Sequence, residues 1–434
     1  MRVLVAGAHW ELIGGSERHT QDVSQALARA GHEVSVMADE PAEEQRGEPT
    51  AITTRRESGR PTLVSVPGCA AATPLGPAAR RALSALLDEF RPQVILALVA
   101  RNAEVLSTLM DAAPLVRFVQ DHVPFCPGGN KTLQGGRPCV QPAGVRCLFT
   151  ALLGAGCAGL RGPRGPALAR TFAQWRRSAR GLACLRRTAH LLVASEYMAS
   201  ELRAVGCRRE RITLLPYFTN AATPLNSAAD GPVSQDSRAA PDPPLILTPA
   251  RLTLPDKGVD YLLTALAKLR SPFRALICGD GPARAWLEQK ARDEGLAERV
   301  QFAGWCSSQE LERHYAQAAI VAVPSMWNEP FGIVGIEAMA HGLPVVAFDV
   351  GGIPAWLHPG KTGSLVPRGD TVAFAAALDE LLADGDLRRR YGAAGQKRVT
   401  AEHRPARHLE SLVALLAQAA TGQVPGTGPA GDAG

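Results

Sequence analysis

The stretch Ser325-Met-Trp-Asn-Glu329-Pro-Phe-Gly332-Ile-Val-Gly-Ile-Glu337 places two carboxylates eight residues apart around a Pro-Phe-Gly turn. The apolar run 320–323 before it predicts a strand, and residues 336–340 after it predict a helix. We therefore expect Glu329 in a loop after a strand and Glu337 about two turns into the next helix. Ligands of parallel α/β sheets bind beyond the carboxyl ends of the strands, and carboxylates accept hydrogen bonds from hydroxyls. The stretch thus predicts a site for sugar or ribose hydroxyls.

Short apolar runs alternate with helical patterns along the whole chain. Strands are predicted at 3–6, 34–37, 94–99, 115–119, 191–194 and 212–215, and again at 245–247, 275–278, 300–302, 320–323 and 345–348. Such alternation is typical of parallel sheets with helical crossovers. A chain of 434 residues is also too long for one compact core. We predict an α/β protein of two Rossmann-like, doubly wound domains facing a cleft.

The domain boundaries follow from composition. Residues 219–244 are rich in Pro, Ala, Ser and Asp and contain no aromatic residue, which predicts a flexible linker. The first domain is then 1–218, with a Cys- and Arg-rich insertion at about 122–187. The second is 245–420, and the Gly/Pro-rich residues 421–434 are expected to be a disordered tail.

Further motifs surround the opening stretch in a fixed order. Arg251 and Lys257-Gly258 precede it, together with Cys278-Gly-Asp-Gly281 and Val300-Gln-Phe-Ala-Gly304. Gly342-Leu-Pro and Asp349-Val-Gly-Gly352 follow it. With the Glu329-x7-Glu337 pair, this set resembles GT4-type retaining glycosyltransferases of the GT-B fold. The resemblance is strong over about 245–370 and looser over the first half of the chain.

The resemblance implies a role for each matching residue of the second domain. Glu329 would lie by the donor sugar, and Glu337 would bind the ribose of the nucleotide. Arg251 and Lys257 would clamp the diphosphate, because cations there neutralise charge on the leaving group. Backbone N–H groups of Phe331, Gly332 and Ile333 would face the sugar and diphosphate. The plain alternative for Arg251 and Lys257 is a pair of solvated surface cations. For Glu329 and Glu337 it is a loop carboxylate that caps a helix and one that faces solvent.

Two features of the first domain match the family less specifically. Gly14-Gly15 follows the first strand and opens the first helix, where glycine allows a close approach to phosphate and the helix N-terminus favours negative charge. A simple tight turn is the alternative. His122 stands at a strand end, like the active-site His of the family, and could bond a sugar hydroxyl or move a proton. It could equally be a polar loop residue.

Four cysteines follow His122 within the insertion, namely Cys126, Cys139, Cys147 and Cys157. Four thiolates can close a tetrahedral zinc site, so a structural zinc ion is one hypothesis. The spacings contain no Cys-x-x-Cys pair, and free or buried thiols are the alternative. A subset of the family carries a Cys-Pro at this point with further cysteines downstream, and Cys126-Pro127 is similar to it.

Charge is distributed unevenly in a chain of net charge +6. Residues 122–195 contain one Lys and ten Arg but no Asp or Glu, so this segment carries the whole basic excess. Within it, residues 167–187 repeat apolar residues at helical spacing, at Leu168, Phe172, Trp175, Ala179 and Leu182. Such a helix could lie on an anionic membrane. It could equally turn its apolar face to the core and its arginines to water.

Together these observations predict an enzyme. We expect retaining transfer of a sugar from a nucleotide-diphosphate sugar to a hydroxyl acceptor, a glycan or lipid-linked molecule, with no cofactor required for transfer. An epimerase of the same fold, and less so a membrane- or nucleic-acid-binding module, are the alternatives. The chain lacks the ~20 apolar residues that span a bilayer and resembles no signal peptide. We expect a cytoplasmic protein, peripheral at the inner face of the membrane, without nucleic acid as partner. The sugar, base and acceptor cannot be read from the sequence.

Overall fold

The computed structural model describes residues 1–7, 9–10, 14–39, 54–55, 60–66, 68–70, 74–133, 137–152, 157, 168–222 and 243–422. The chain forms two compact units. Unit 1 consists of Met1–Pro216 and His408–Gly434, and unit 2 of Tyr217–Arg407. Residues from His408 onward thus group with the first unit, whereas we assigned them by sequence to the second domain. Of the predicted linker and tail, residues 223–242 and 423–434 lie outside the described residues.

Unit 1 is built on an eight-stranded sheet. Its strands are β1 (Arg2–Ala6), β2 (Glu33–Ala38), β3 (Thr54–Arg55), β4 (Thr62–Ser65), β5 (Val94–Ala97), β6 (Leu115–Phe118), β7 (His190–Val193) and β8 (Ile212–Leu214). They lie in the order β3-β4-β2-β1-β5-β6-β7-β8, with every pair parallel except β3–β4. The central strands are buried and mostly apolar because helices cover both faces of such sheets.

Helices connect these strands. They are α1 (Gly15–Arg29), α2 (Pro77–Phe90), α3 (Ala103–Ala112), α4 (Arg146–Leu152), α5 (Leu168–Arg187) and α6 (Glu196–Ala204). The Asn102 side chain caps α3 by accepting the N–H groups of Glu104 and Val105, and Ser195 caps α6 in the same way. Both caps satisfy N–H groups that a helix leaves without partners at its start.

Unit 2 has a six-stranded sheet in which every neighbouring pair is parallel. Its strands are β9 (Leu245–Pro249), β10 (Arg274–Cys278), β11 (Val300–Gly304), β12 (Ile320–Val323), β13 (Val345–Phe348) and β14 (Gly363–Val366). The order is β11-β10-β9-β12-β13-β14. The connections therefore run one way from β9 and the other way from β12, which makes the carboxyl ends of β9 and β12 the topological switch point where ligands bind.

The helices of unit 2 are α7 (Val259–Leu266), α8 (Arg284–Asp293), α9 (Ser308–Gln317), α10 (Ile333–Ala340), α11 (Thr371–Ala383) and α12 (Gly385–Glu402). A last helix, α13 (Pro405–Ala420), begins at the end of unit 2 and continues into unit 1. There its His408 ring bonds the carbonyl of Pro216 through Nδ1, at 2.8 Å.

All eleven strands predicted from the sequence are confirmed, and the sequence missed β3, β4 and β14. One of these, β14, begins at Gly363, where a Cβ would lie 2.0 Å from the carbonyl oxygen of Val345. Glycine is required there for the strand to pair, yet glycine lowers strand propensity, so the pattern pointed away from a strand. One position was also wrong. Glu337 is the fifth residue of α10, little more than one turn in rather than two.

Candidate functional site

An ion pair marks the switch point of unit 2. Lys257 stands in the loop after β9 and Glu329 in the loop after β12, and Lys257 Nζ lies 2.6 Å from Glu329 Oε1. The hydroxyl of Ser325 donates to the same carboxylate oxygen at 2.8 Å. The carboxylate side chain is 8% exposed and the lysine side chain 26% exposed. Buried contacts therefore hold the Glu329 carboxylate in place, while the Lys257 ammonium remains accessible to a ligand.

The two loops that carry this pair are joined through their backbones. The carbonyl of Asp256 accepts the N–H groups of Met326 and Trp327 at 2.8 and 3.0 Å. Gly258 has a φ of +62°, and a Cβ there would lie 1.9 Å from the carbonyl oxygen of Pro324. Only glycine allows this contact. The Lys257 ammonium also lies 5.0 Å from the centroid of the Trp327 ring, a cation–π contact that helps to orient it.

A third loop, after β13, fixes the backbone of Glu329. Gly352 donates its N–H to the Glu329 carbonyl at 2.6 Å. Its neighbour Gly351 has a φ of +54°, and a Cβ there would lie 2.2 Å from the same carbonyl oxygen. The Gly-Gly after β13 is thus part of the wall that holds Glu329 in place.

The segment 331–333 opens α10. The ring of Phe331 is buried against Tyr217 and His403, with centroids 5.5 and 5.7 Å away, and its carbonyl accepts the indole N–H of Trp356 at 2.6 Å. Phe331 therefore anchors the turn with its side chain. Gly332 is the N-cap with a φ of +91°, so Ile333 begins the helix. The first N–H groups of a helix lack intrahelical partners, which suits this terminus to an anion.

Glu337 lies on α10 and is half-buried. The hydroxyl of Tyr315, on α9, donates to Glu337 Oε2 at 3.2 Å. Burial first, and the nearby Glu337 second, raise the pKa of Tyr315 well above its usual value. The phenol therefore stays protonated and remains a donor to this carboxylate. Tyr315 was missed by the sequence analysis, and its only signal was an aromatic residue on the helix before β12.

Arg251 is exposed just beyond β9. Its turn is closed by the N–H of Thr253, which donates to the Arg251 carbonyl at 2.9 Å. Beside it, a Cβ on Gly279 would lie 2.0 Å from the Ala250 carbonyl oxygen, so the ends of β9 and β10 touch through their backbones. Together with the ion pair and Glu337, this brings all the charged residues predicted for the second domain to the carboxyl edge of one sheet.

Gly14 and Gly15 take the predicted place in unit 1. Gly14 is the extended N-cap of α1 and Gly15 its first residue. The side chain of Ser16 donates to Glu17 within the first turn at 2.9 Å. Residues 11–13, which lead into this turn, lie outside the described residues. The phosphate contact remains a prediction.

His122 follows β6 as predicted, in a buried setting, and its contact with a sugar stays a prediction. The side chain is fully buried, and its Nε2 lies 2.9 Å from the hydroxyl of Tyr197. Its ring also meets that of Phe125 edge-on. Burial first, and Lys131 second, lower the pKa of His122 to about 3. In this structure it is a neutral core residue that positions the start of the insertion.

Several apolar side chains are exposed within residues 122–195, the segment that contains no Asp or Glu. Val140, Val145, Phe149 and Phe172 are all at least half exposed. On α5, Phe172 and Ala179 of the predicted apolar stripe are exposed, whereas Thr171, Ser178 and Gly181 are buried. A Cβ on Gly181 would lie 2.4 Å from the Pro124 carbonyl oxygen. Of the same stripe, Trp175 is half-buried and Leu182 packs against the core. The stripe is thus divided between solvent and core, and neither alternative describes it fully.

Basic groups accompany this exposed apolar surface. The guanidinium of Arg176 lies 5.8 Å from the centroid of Phe172, which in turn stacks on Trp175. The Trp175 indole donates to the Gly144 carbonyl at 3.1 Å, which ties α5 to the loop before α4. The exposed arginines of α5 are Arg170, Arg176, Arg177, Arg180, Arg186 and Arg187. Within the described part of the chain, no helix combines the length and apolarity needed to cross a bilayer.

Family models match both halves of the chain. Residues 13–222 match glycosyltransferase family 4, and residues 232–398 match glycosyl transferases group 1. The two matches together take in every predicted site residue, from Gly14 to Glu337.

Individual relatives match over shorter segments. A Mycobacterium tuberculosis protein named GDP-mannose-dependent alpha-(1-6)-phosphatidylinositol monomannoside mannosyltransferase is 34% identical over 248 residues, which is 50% of this chain and 63% of that protein. A Corynebacterium diphtheriae D-inositol 3-phosphate glycosyltransferase is 43% identical over 148 residues, 32% of this chain and 34% of the relative. The chain thus spans less than two thirds of the length of these relatives.

Similarity to solved structures extends over nearly the whole chain. A sucrose-phosphate synthase from Thermosynechococcus elongatus matches with a TM-score of 0.69 and 21% identity, over 97% of this chain and 99% of that one. At such identity the likeness shows the fold alone. The predicted GT-B class, with two parallel-sheet α/β units, is confirmed.

Proposed function

This chain belongs to glycosyltransferase family 4, and we propose that it transfers a sugar from a nucleotide-diphosphate sugar to a hydroxyl acceptor with retention of configuration. The observation that carries the proposal is the Lys257–Glu329 pair at the switch point of the unit 2 sheet. It combines a partly open cation with a fixed carboxylate at the place where this topology binds ligands.

The donor nucleotide is bound by unit 2 in this proposal. Lys257 and Arg251 neutralise the diphosphate, and the N-terminus of α10 at Gly332 and Ile333 adds N–H groups to it. Glu337 accepts the ribose hydroxyls, with its carboxylate steadied by Tyr315. In unit 1, Gly14 and Gly15 offer a second helix N-terminus for phosphate.

Glu329 orients the sugar in this scheme. Ser325 and Lys257 both bond its Oε1, so the hydrogen bonds among the described residues leave Oε2 to accept from sugar hydroxyls. A carboxylate with a fixed backbone and a fixed side chain costs little entropy to bring into line with a ligand. We assign it a positioning and electrostatic role next to the anomeric carbon.

The reaction follows from where charge develops. The bond between the anomeric carbon and the diphosphate oxygen breaks, and the diphosphate leaves with the electron pair. Lys257 and Arg251 stabilise that charge as it forms. The acceptor oxygen bonds to the anomeric carbon on the face that the diphosphate leaves, and its proton passes to the departing phosphate. No cofactor is needed for this balance.

A thermal-shift screen of the full chain tests the donor site. GDP-mannose is the first donor to examine because the Mycobacterium tuberculosis relative is named for it, followed by UDP- and ADP-sugars. We expect one nucleotide class to raise the melting temperature, and Lys257→Ala and Glu337→Ala to abolish the rise. Lys268→Ala, an exposed lysine of unit 2 that bonds Thr371, is the matched control and should keep it.

Sugar transfer needs its own measurement. With the selected donor, release of nucleoside diphosphate should depend on an added acceptor, and the anomeric configuration of the product should equal that of the donor by NMR. Donor turnover without any acceptor would contradict transfer. A rise in melting temperature that survives in both Lys257→Ala and Glu337→Ala would place the donor elsewhere.

We further propose that the protein works in the cytoplasm at the inner face of the membrane, on a lipid-linked acceptor. The support is the exposed surface formed by Val140, Val145, Phe149 and Phe172 beside the arginines of α5. Apolar side chains that enter the interface beside cations that meet anionic headgroups are the features of a peripheral membrane surface. The Mycobacterium tuberculosis relative is itself named for a phosphatidylinositol acceptor.

Liposome flotation tests this surface directly. We expect the chain to float with vesicles that contain anionic lipid and to stay behind with neutral vesicles. Phe149→Ser/Phe172→Ser should abolish flotation, whereas Trp286→Ser, an equally exposed aromatic residue in unit 2, should not. Equal behaviour of the two variants would sink the proposal. We expect no binding to nucleic acid. A binding assay with nucleic acid at rising salt is the control, because such binding would weaken steeply as salt is added.

A further inference from the structure

The four cysteines of the insertion meet at one cavity. Cys126, Cys139, Cys147 and Cys157 all line it, together with Lys131, Leu133 and Gln141. They come from four separate pieces of chain spread over more than thirty residues. The fold therefore collects thiols that the sequence keeps apart, within a segment that has no acidic residue to serve as a competing ligand.

Regular structure does little to hold this region. Between Phe118 and α4, the described residues form only isolated bridges, Thr132 with Pro138 and Leu133 with Cys157. Cys139 is placed by its own N–H, which donates to the Lys131 carbonyl at 2.7 Å, and Cys147 lies in the first turn of α4. Loops of this kind need a further tie to keep one conformation, and a metal ion is a common one.

The backbone around Cys126 is arranged for a thiolate. The N–H groups of Gly128, Gly129 and Lys131 all point to its sulfur. The turn that aims them is closed by the Gly129 N–H, which donates to the Cys126 carbonyl at 3.0 Å, and needs a glycine because φ of Gly129 is +82°. Amides directed at a sulfur favour its charged form.

We propose that Cys126, Cys139, Cys147 and Cys157 bind one structural Zn²⁺. Four sulfur ligands with no position left for water are the set that closes a tetrahedral structural zinc site. The thiols give up their protons to solvent as the metal–sulfur bonds form. No electron transfer is involved, and the site takes no part in the sugar chemistry.

The four sulfur atoms must come closer to one another before they can bind one zinc ion. Among the described residues, the group of three metal-ligand atoms lying within 4.8 Å of one another is that of Cys278, Cys306 and His314 in unit 2. The insertion sulfurs are spaced more widely, and bonds of about 2.3 Å to a common ion would draw the loops inward. The zinc ion would then hold the loop before α4 and, through it, the exposed apolar surface of Val145 and Phe149.

Metal analysis of the purified full chain tests the proposal, and the unit 2 group supplies its control. We expect elemental mass spectrometry to detect about one zinc ion per chain in the wild type. Cys126→Ser and Cys147→Ser should each lose it, while Cys306→Ser should keep it. Zinc that is absent from the wild type, or that is lost in Cys306→Ser and retained in Cys147→Ser, would overturn the proposal.

A second measurement covers the case in which the serine variants do not fold. The wild-type chain is alkylated under native conditions before and after treatment with a zinc chelator, and modified cysteines are located by mass spectrometry. Cys139, Cys147 and Cys157 are half-buried, so without a metal they should react at once. We expect them to be protected until the chelator is added. Immediate reaction, or disulfides among the four, would contradict a zinc site.

Discussion

The carboxyl edges of the two sheets differ in the residues that they bury, although both belong to parallel α/β units. In unit 2 the residues after β9 and β12 keep a charged pair, Lys257 and Glu329, with the cation partly open. In unit 1 the residue after β6, His122, is neutral and buried, and burial likewise lowers the pKa of His19 on α1. The same scaffold thus buries a paired carboxylate at one edge and a neutral histidine at the other, where the neighbouring Arg101–Asp121 pair is more exposed. Chemistry is a property of the site and not of the fold.

The cause of the difference lies in what covers each edge. In unit 2, glycines at 258, 279 and 351 let neighbouring loops touch through their backbones, and the Lys257 side chain stays 26% exposed. In unit 1, Phe125 of the insertion and Tyr197 of α6 lie against His122. This comparison predicts that removing the charge of Lys257 acts mainly on activity, whereas protonation of His122 acts mainly on the stability of unit 1.

The largest effect is expected from Lys257→Met. Activity with the selected donor should fall about 10²–10³-fold, because one charge that stabilises the leaving diphosphate is gone. The free energy of unfolding should also fall by about 2 kcal/mol, since Glu329 is left as a buried carboxylate without its cation. Initial rates and urea unfolding measure the two quantities.

The double variant Lys257→Met/Glu329→Gln separates structure from function. It removes the buried charge as well, so we expect stability to return to within about 1 kcal/mol of the wild type while activity stays low. If stability and activity both recovered, the Lys257–Glu329 pair would serve stability alone. The difference between the two sheet edges would then have no bearing on function.

Gly351→Ala should act through the backbone of Glu329. A Cβ at this position would lie 2.2 Å from the Glu329 carbonyl oxygen, and φ is +54°. We expect a loss of about 3 kcal/mol from strain and overpacking together. Gly360→Ala is the matched control, because its φ is +74° but nothing lies within 4 Å of the new Cβ. It should cost about 1 kcal/mol, and equal losses from the two would exclude the close contact as the cause.

His122 should make unit 1 sensitive to acid. Its pKa is lowered from 6.5 to about 3 in the folded state, so the unfolded chain binds the proton more tightly. The contribution to stability is therefore complete above pH 6.5 and is lost as the pH falls towards 3, by a few kcal/mol at most. His122→Asn should flatten the dependence of unfolding free energy on pH in this window. Tyr197→Phe, which keeps the ring buried, should retain the wild-type slope.

Much of unit 2 could be predicted because its site depends on local spacing. The strand before Glu329 and the helix that carries Glu337 are adjacent in sequence, so their period and turn residues place both carboxylates. The cations followed from strand ends that topology brings to the same edge. Tyr315 could not be found, since its hydroxyl reaches Glu337 across a tertiary contact between α9 and α10 that no local pattern encodes.

The insertion of unit 1 was harder for a physical reason. The composition of the insertion indicated its positive charge, and its apolar repeat predicted helix α5. Neither indicated which face of α5 packs against the rest of unit 1. That face is chosen by Gly181, whose missing side chain lets the helix touch the Pro124 backbone. The burial of His122 depends in the same way on Tyr197, which is distant in sequence. Burial of a single polar residue depends on such long-range packing and not on its neighbours in the chain.

The smallest predicted effect sharpens the assignment of Glu337. Tyr315→Phe removes the hydroxyl that steadies the carboxylate at 3.2 Å, and we expect about a fivefold loss of donor affinity, or ~1 kcal/mol. Because Glu337 is assigned to the ribose, the loss should be the same for the nucleoside diphosphate as for the intact nucleotide sugar. Calorimetry with both ligands measures this, with Tyr261→Phe, whose ring packs on Phe348, as the control. A loss confined to the nucleotide sugar would instead move Glu337 to the sugar end of the site, beside Glu329.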